Sequence, residues 1–68
     1  MRNFYVGKKL GKSEWFIFDS ENHEAMFGGR GFLSAGLSKD GLTANVTQLG
    51  GEVGIIDLAT GEFTETQK

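Results

Sequence analysis

One short segment near the middle of the chain combines residue types that commonly bind a partner. Arg30 lies between Gly29 and Gly31 and is followed by Phe32. Glycine has no side chain to keep another surface away, and arginine is enriched among the residues that contribute most to binding. We therefore predict that Gly29, Arg30, Gly31 and Phe32 contact a partner.

The same segment has the glycine spacing of a phosphate-binding loop but lacks its lysine. Four residues separate Gly31 from Gly36, and Leu37 stands where the P-loop pattern requires lysine. The pattern of a long helix, which must follow a P-loop, is also missing. The segment therefore argues against nucleotide hydrolysis and favours an exposed loop or a bulged entry to a strand.

Three lysines form a second candidate contact surface near the N-terminus. Lys8, Lys9 and Lys12 surround a predicted hairpin turn, with Tyr5 and Trp15 close by in the sequence. Lysines beside aromatic rings can bind phosphates and stack on bases, although lysines also protect exposed strand edges from aggregation. The net charge of −2 and pI of about 5.2 are unlike those of typical nucleic-acid binders.

Residues for catalysis or metal binding are scarce. The chain has no cysteine and one histidine, His23, which lies between Glu21 and Glu24. Structural zinc sites need four ligands, and general acid–base catalysis needs titratable groups held together in a pocket. We expect His23 to be a surface residue, and we predict no metal, no cofactor, no catalytic residue and no enzymatic activity.

The turn signals of the second half of the chain predict a four-stranded antiparallel meander. Asp40-Gly41 and Thr60-Gly61 are typical of hairpin loops closed by a left-handed glycine, and Gly50-Gly51 predicts a two-residue turn. The strands are expected at about residues 32–37, 42–49, 53–58 and 63–66. The last turn resembles the Asp-x-x-Thr-Gly hairpin of quinoprotein-type β-propeller blades, which we interpret as shared turn chemistry because it occurs once.

The first half predicts a hairpin of residues 3–8 and 14–19, followed by at most one short helical turn near residues 20–27 that would end at Gly28. The second arm is apolar on both faces, with Phe16 and Phe18 on one of them. Such a strand must be covered on both sides. We expect a second copy to cover Phe16 and Phe18, which makes the protein a homo-oligomer.

Length and composition indicate a single small β domain over residues 1–68, either a small barrel or a sandwich. No apolar run approaches the ~18–20 residues of a membrane span, and charge interrupts the N-terminus too early for an export signal. We expect a cytoplasmic location.

The charges are distributed unevenly along the chain. Residues 1–12 carry four bases and no acid, whereas residues 13–27 carry four acids and no base. Such a separation of charge suits head-to-tail contacts or the steering of a charged partner.

These features favour a non-enzymatic protein-binding module, such as an inhibitor or adaptor, virus-encoded or bacterial, that acts on a larger bacterial machine. The alternative is an oligomeric small β-barrel that binds single-stranded nucleic acid or a nucleotide. A purely structural subunit is a third interpretation.

Overall fold

The computed structural model describes residues 3–67, and its strands follow the predicted order. β1 (Phe4–Lys8) and β2 (Trp15–Asp19) form an antiparallel hairpin. The remaining strands form a four-stranded antiparallel meander: β3 (Ser34–Leu37), β4 (Thr43–Thr47), β5 (Val53–Asp57) and β6 (Phe63–Gln67). The prediction of an all-β fold with a hairpin and a meander is confirmed.

The turns of the meander close as their residue types require. Gly41 and Gly61 have φ values of 73° and 80° and donate their N–H groups to the carbonyls of Ser38 and Asp57. A two-residue turn at Gly50-Gly51, as predicted, would place both glycines at a positive φ, but only Gly51 has one, 98°. Its N–H bonds the carbonyl of Gln48, so this loop also ends on one left-handed glycine instead of two.

The two sheets form two layers around one hydrophobic core and are not closed into a barrel. In β4 and β5 alternate residues are buried, as the period of a strand requires. The buried core takes side chains from both layers: Ile17, Phe32, Ala44, Val46, Ile56 and Leu58. Within the described residues, no helix is long and apolar enough to cross a membrane.

Phe32 links the two layers. Its N–H and C=O groups both bond the backbone of Trp15 at 2.8 Å, while the next N–H, that of Leu33, bonds the carbonyl of Thr47 in the other sheet. The chain therefore changes sheets between residues 32 and 33. Because this crossing lies between the layers, the Phe32 side chain is completely buried.

The segment after β2 forms a 3-10 turn, Phe27–Gly29, at the end of the region in which one helical turn was predicted. Residues 24–26 instead run along β2, where Asp19 N–H bonds the Glu24 carbonyl and Met26 N–H bonds the Ile17 carbonyl. The edge of β2 that does not pair with β1 offers backbone hydrogen bonds to this segment. These bonds are more favourable than those of a helix of about seven residues, which is too short to be stable on its own. Gly28 has the expected left-handed φ, but it lies within this turn and not after a helix.

The strand β5 contains an irregularity at Gly54. The pairing of β5 with β6 shifts between Val53 and Gly54. A Cβ at position 54 would overlap the carbonyl oxygen of Thr64 and would lie 2.6 Å from two ring carbons of Phe63. Glycine is needed here because the neighbouring strand and the Phe63 ring occupy that space.

Candidate functional site

The predicted basic residues gather at one end of the β1–β2 hairpin. Lys8 ends β1, Lys9 and Lys12 belong to the turn that follows, and Arg30 lies on the segment that runs beside β2. All four side chains are exposed. We call these four residues the basic end. Arg2, which belongs to the same basic sequence region, lies outside the described residues.

Three cations of the basic end lie over aromatic rings. The Lys8 ammonium is 4.8 Å from the centroid of the Trp15 ring, and the Lys9 ammonium is 4.5 Å from that of Phe16. The Arg30 guanidinium carbon is 5.7 Å from the Phe32 centroid. A cation within about 6 Å of a ring centroid is attracted by the negative face of the ring. Each ring therefore attracts its cation, by about 0.5–1 kcal/mol at an exposed site.

Two cations that are distant in sequence are brought to the same segment by the tertiary structure. The Lys9 ammonium lies over the Phe16 ring and is 3.8 Å from the position that a Cβ would occupy at Gly29. Gly29 is adjacent to Arg30 in the chain. The lysine turn and the glycine–arginine segment, which the sequence offers as two separate candidates, thus form one surface.

Gly31 has a packing role that the sequence does not reveal. A Cβ at this position would lie 2.6 Å from the Cβ of Glu14 and 3.3 Å from the Phe16 ring, and the residue is buried. Gly31 and Phe32 are therefore internal, and only Arg30 of the predicted glycine–arginine contact residues is well exposed. Glycine at position 31 lets this segment lie close against β2.

Leu10 is a candidate that the sequence interpretation missed. It stands at the tip of the lysine turn, between Lys9 and Lys12, and its exposed fraction is 104%. The side chain stabilises nothing in the fold, because it is as accessible as in an extended chain. A signal for it was present in the sequence, since Leu10 is the only apolar side chain of the Lys9–Lys12 turn. We call residues Lys9–Lys12 the tip.

The outer face of the hairpin carries a row of aromatic side chains. The Tyr5 and Phe18 rings stack with centroids 5.1 Å apart, and the Phe16 ring follows at 6.2 Å from Phe18. The Tyr5 hydroxyl lies 3.0 Å from Nδ1 of His23, which is exposed on its turn. Phe16 is only 4% exposed and Phe18 is half-buried. Contacts with Tyr5, with Lys9 and with each other thus cover much of the Phe16 and Phe18 surface, which was predicted to contact a second copy.

An open groove of about 820 Å³ lies at the other end of the hairpin. It is formed where the β3–β4 and β5–β6 loops meet the start of β1. Its lining combines four apolar residues with two carboxylates: Phe4, Leu42, Leu58, Ala59, Asp40 and Asp57. No local pattern of the sequence indicates this groove, because its lining comes from three separate segments, residues 4, 40–43 and 57–59.

The two aspartates of the groove are held by turn hydrogen bonds. Asp57 Oδ1 accepts from the N–H groups of Ala59 and Thr60 at 2.8 and 3.3 Å. Asp40 Oδ1 accepts from the Ser38 hydroxyl and from Leu42 N–H, and these bonds lower the pKa of Asp40 below its usual value. Asp40 is therefore ionised at neutral pH, which makes it unsuited to the role of a general acid.

Within residues 3–67, no three side chains of the types that bind metals come together. No protein-family model, curated protein or solved structure matches the chain.

Proposed function

We propose that this chain is a non-enzymatic protein-binding module that acts through its basic end. It would serve as an inhibitor or adaptor, of the kind that bacteria and their viruses direct at a larger machine. The observation that carries this proposal is Leu10, a fully exposed apolar residue held between Lys9 and Lys12. An apolar anchor surrounded by charges suits a partner pocket with an apolar floor and an acidic rim.

The positions of the cations over aromatic rings support binding by the basic end. Lys8, Lys9 and Arg30 each lie over a ring of the fold. A side chain that is already restrained loses less conformational entropy on binding than a mobile one. Arginine and tryptophan are also enriched among the residues that dominate interface energies, and Trp15 is half-buried at this end.

The burial of the rings that lie beneath the basic end favours a protein partner over single-stranded nucleic acid. Base stacking needs an accessible ring face, but Phe32 is 0% and Phe16 is 4% exposed. Lys8 lies over the half-buried Trp15. These cations could still contact phosphates, so an oligonucleotide belongs in the test.

Two substitutions at the tip test the proposal without altering the fold. Leu10→Ser removes the apolar anchor and Lys12→Glu reverses a neighbouring charge, and both residues are exposed. We expect a protein that co-purifies with the wild-type chain from its host to be lost from both variants, while the melting temperature stays unchanged. Arg30→Ala should also weaken this binding.

Matched controls carry the same chemical changes elsewhere. Leu49→Ser alters a leucine that is 54% exposed in another turn, and Lys39→Glu reverses an exposed charge on the β3–β4 loop. Both controls should retain the partner. Equal retention by the tip variants would contradict the proposal.

An oligonucleotide column tests the nucleic-acid alternative. If the protein binds the column at about 50 mM salt and is released by about 200 mM, that alternative is favoured.

A further inference from the structure

We infer that the groove binds the tip of a second copy of this chain, so that copies associate head to tail. The inference uses the groove as a binding site and does not depend on the larger partner proposed above. It replaces the Phe16 and Phe18 face with a different pair of surfaces for self-association.

The two surfaces are complementary in charge. The tip and its neighbour Lys8 present three lysines, with no acid between residues 3 and 13. The lining of the groove carries two acids, Asp40 and Asp57, and no base. Among the described residues, Oδ2 of Asp40 and of Asp57 has no hydrogen-bond partner, since the turn bonds all use Oδ1. Each aspartate therefore keeps one oxygen available for an ammonium group.

The two surfaces also match in their apolar parts. Leu10 projects from the tip with no contact of its own, and Leu42 is 56% exposed at the groove beside the buried Leu58 and the half-buried Phe4. Exposed apolar side chains gain free energy when they leave water. A leucine flanked by lysines is thus a suitable occupant for an apolar groove edged by aspartates.

The geometry requires a second copy. Phe4 begins β1 at the groove and Lys8 ends the same strand next to the tip. A five-residue strand separates its first and last residues by about 13 Å. The tip of one molecule therefore cannot reach its own groove, and the contact joins two different surfaces. Contacts of this kind form rings when they close and continuing chains when they do not.

The test uses two variants, each defective in one surface. Leu10→Asp damages the tip and keeps the groove, whereas Leu42→Lys damages the groove and keeps the tip. In sedimentation velocity experiments over about 10–500 µM at low salt, the wild-type chain should associate with increasing concentration, and less so at about 500 mM salt. Each variant alone should remain monomeric, and an equimolar mixture should form a one-to-one dimer and nothing larger.

A charge-only variant measures the electrostatic part. The double substitution Asp40→Asn and Asp57→Asn keeps an oxygen for the turn bonds and should weaken association by about tenfold. Glu62→Gln, in the same loop but outside the groove lining, is the control and should have little effect.

Several outcomes would overturn the inference. A wild-type chain that stays monomeric at the highest concentration has no such contact. Variants that associate as the wild type does place the interface elsewhere. A mixture that fails to form dimers shows that the groove does not take the tip. Because no other protein is present, failure here leaves the proposed partner binding separately testable.

Discussion

The substitution Gly54→Ala tests whether the pairing of β5 with β6 leaves no room for a side chain at position 54. The added Cβ would overlap the carbonyl oxygen of Thr64 and would lie 2.6 Å from the Phe63 ring. The carbonyl belongs to the backbone of the paired strand and cannot rotate away. Relief therefore requires a displacement of β6 as well as of the Phe63 side chain, which packs against the core.

The expected cost is large compared with the stability of so small a domain. Overpacking a well-packed site costs about 1–3 kcal/mol, and an overlap with backbone places this case at about 3 kcal/mol. A domain of this size has a net stability of about 3–5 kcal/mol. We therefore expect Gly54→Ala to lower the melting temperature by about 12–24 °C and to shift the urea midpoint by about 2–3 M.

The matched control is Gly36→Ala in β3. No atom lies within 4 Å of the position of the new Cβ, and the φ of Gly36 is not in the left-handed range. Alanine restricts the unfolded chain more than glycine does, so this variant should be as stable as the wild type or more stable by about 0.4–1 kcal/mol. The fold itself does not require glycine at this position.

Urea denaturation followed by the fluorescence of Trp15, the only tryptophan, measures both variants. Far-ultraviolet circular dichroism checks that the two probes report one transition. Equal midpoints for Gly54→Ala and Gly36→Ala would refute the reasoning, because the pairing of β5 with β6 would then leave room for a side chain.

Two further predictions concern the turns. Gly11→Ala and Gly61→Ala both place alanine at a φ of +80°, but only at Gly61 would the Cβ lie 3.2 Å from the Phe27 ring. We therefore expect Gly11→Ala to lower the free energy of unfolding by about 1–2 kcal/mol and Gly61→Ala to lower it clearly more. Equal losses in urea denaturation would contradict the Phe27 contact. The Ser38 hydroxyl and Leu42 N–H lower the pKa of Asp40 from 3.8, so its ionised form stabilises the folded state above that pH and the contribution is lost as the pH falls through the lowered value. The melting temperature of Asp40→Asn should accordingly lie below that of the wild type at about pH 6, with a smaller gap at about pH 3, and a gap that grows on acidification would be opposite in sign to this reasoning.

Much of the fold could be predicted from the sequence because its signals are local. The hairpin loops that end at Gly41 and Gly61 need a left-handed residue at a fixed offset, and glycine supplies it without a steric cost. The alternation of apolar and polar residues in β4 gives one buried and one exposed face. The Gly50-Gly51 turn shows the limit, because two adjacent glycines permit more than one turn and the backbone hydrogen bond to Gln48 selects among them.

The contact residues were harder to predict because their exposure depends on distant parts of the chain. Arg30, Lys8, Lys9 and Lys12 are exposed as expected from their types. Phe32, next to Arg30, is instead fully buried, because the chain changes sheets immediately after it. Periodicity within a strand does not reveal where a strand leaves one sheet for another.

The strands, the hairpin loops that end at Gly41 and Gly61, and the separation of basic from acidic segments could be read from the sequence, since each depends on residues that are close together in the chain. The approach of Lys9 to Gly29, and the meeting of Phe4 with Leu42 and Leu58 in one groove, depend instead on the three-dimensional arrangement of the chain. These contacts arise from the packing of the two sheets, which brings together residues that no local preference connects. The hairpin separates Phe4 from the basic end, and the packing of the two sheets places the β3–β4 and β5–β6 loops beside Phe4, where they form the groove.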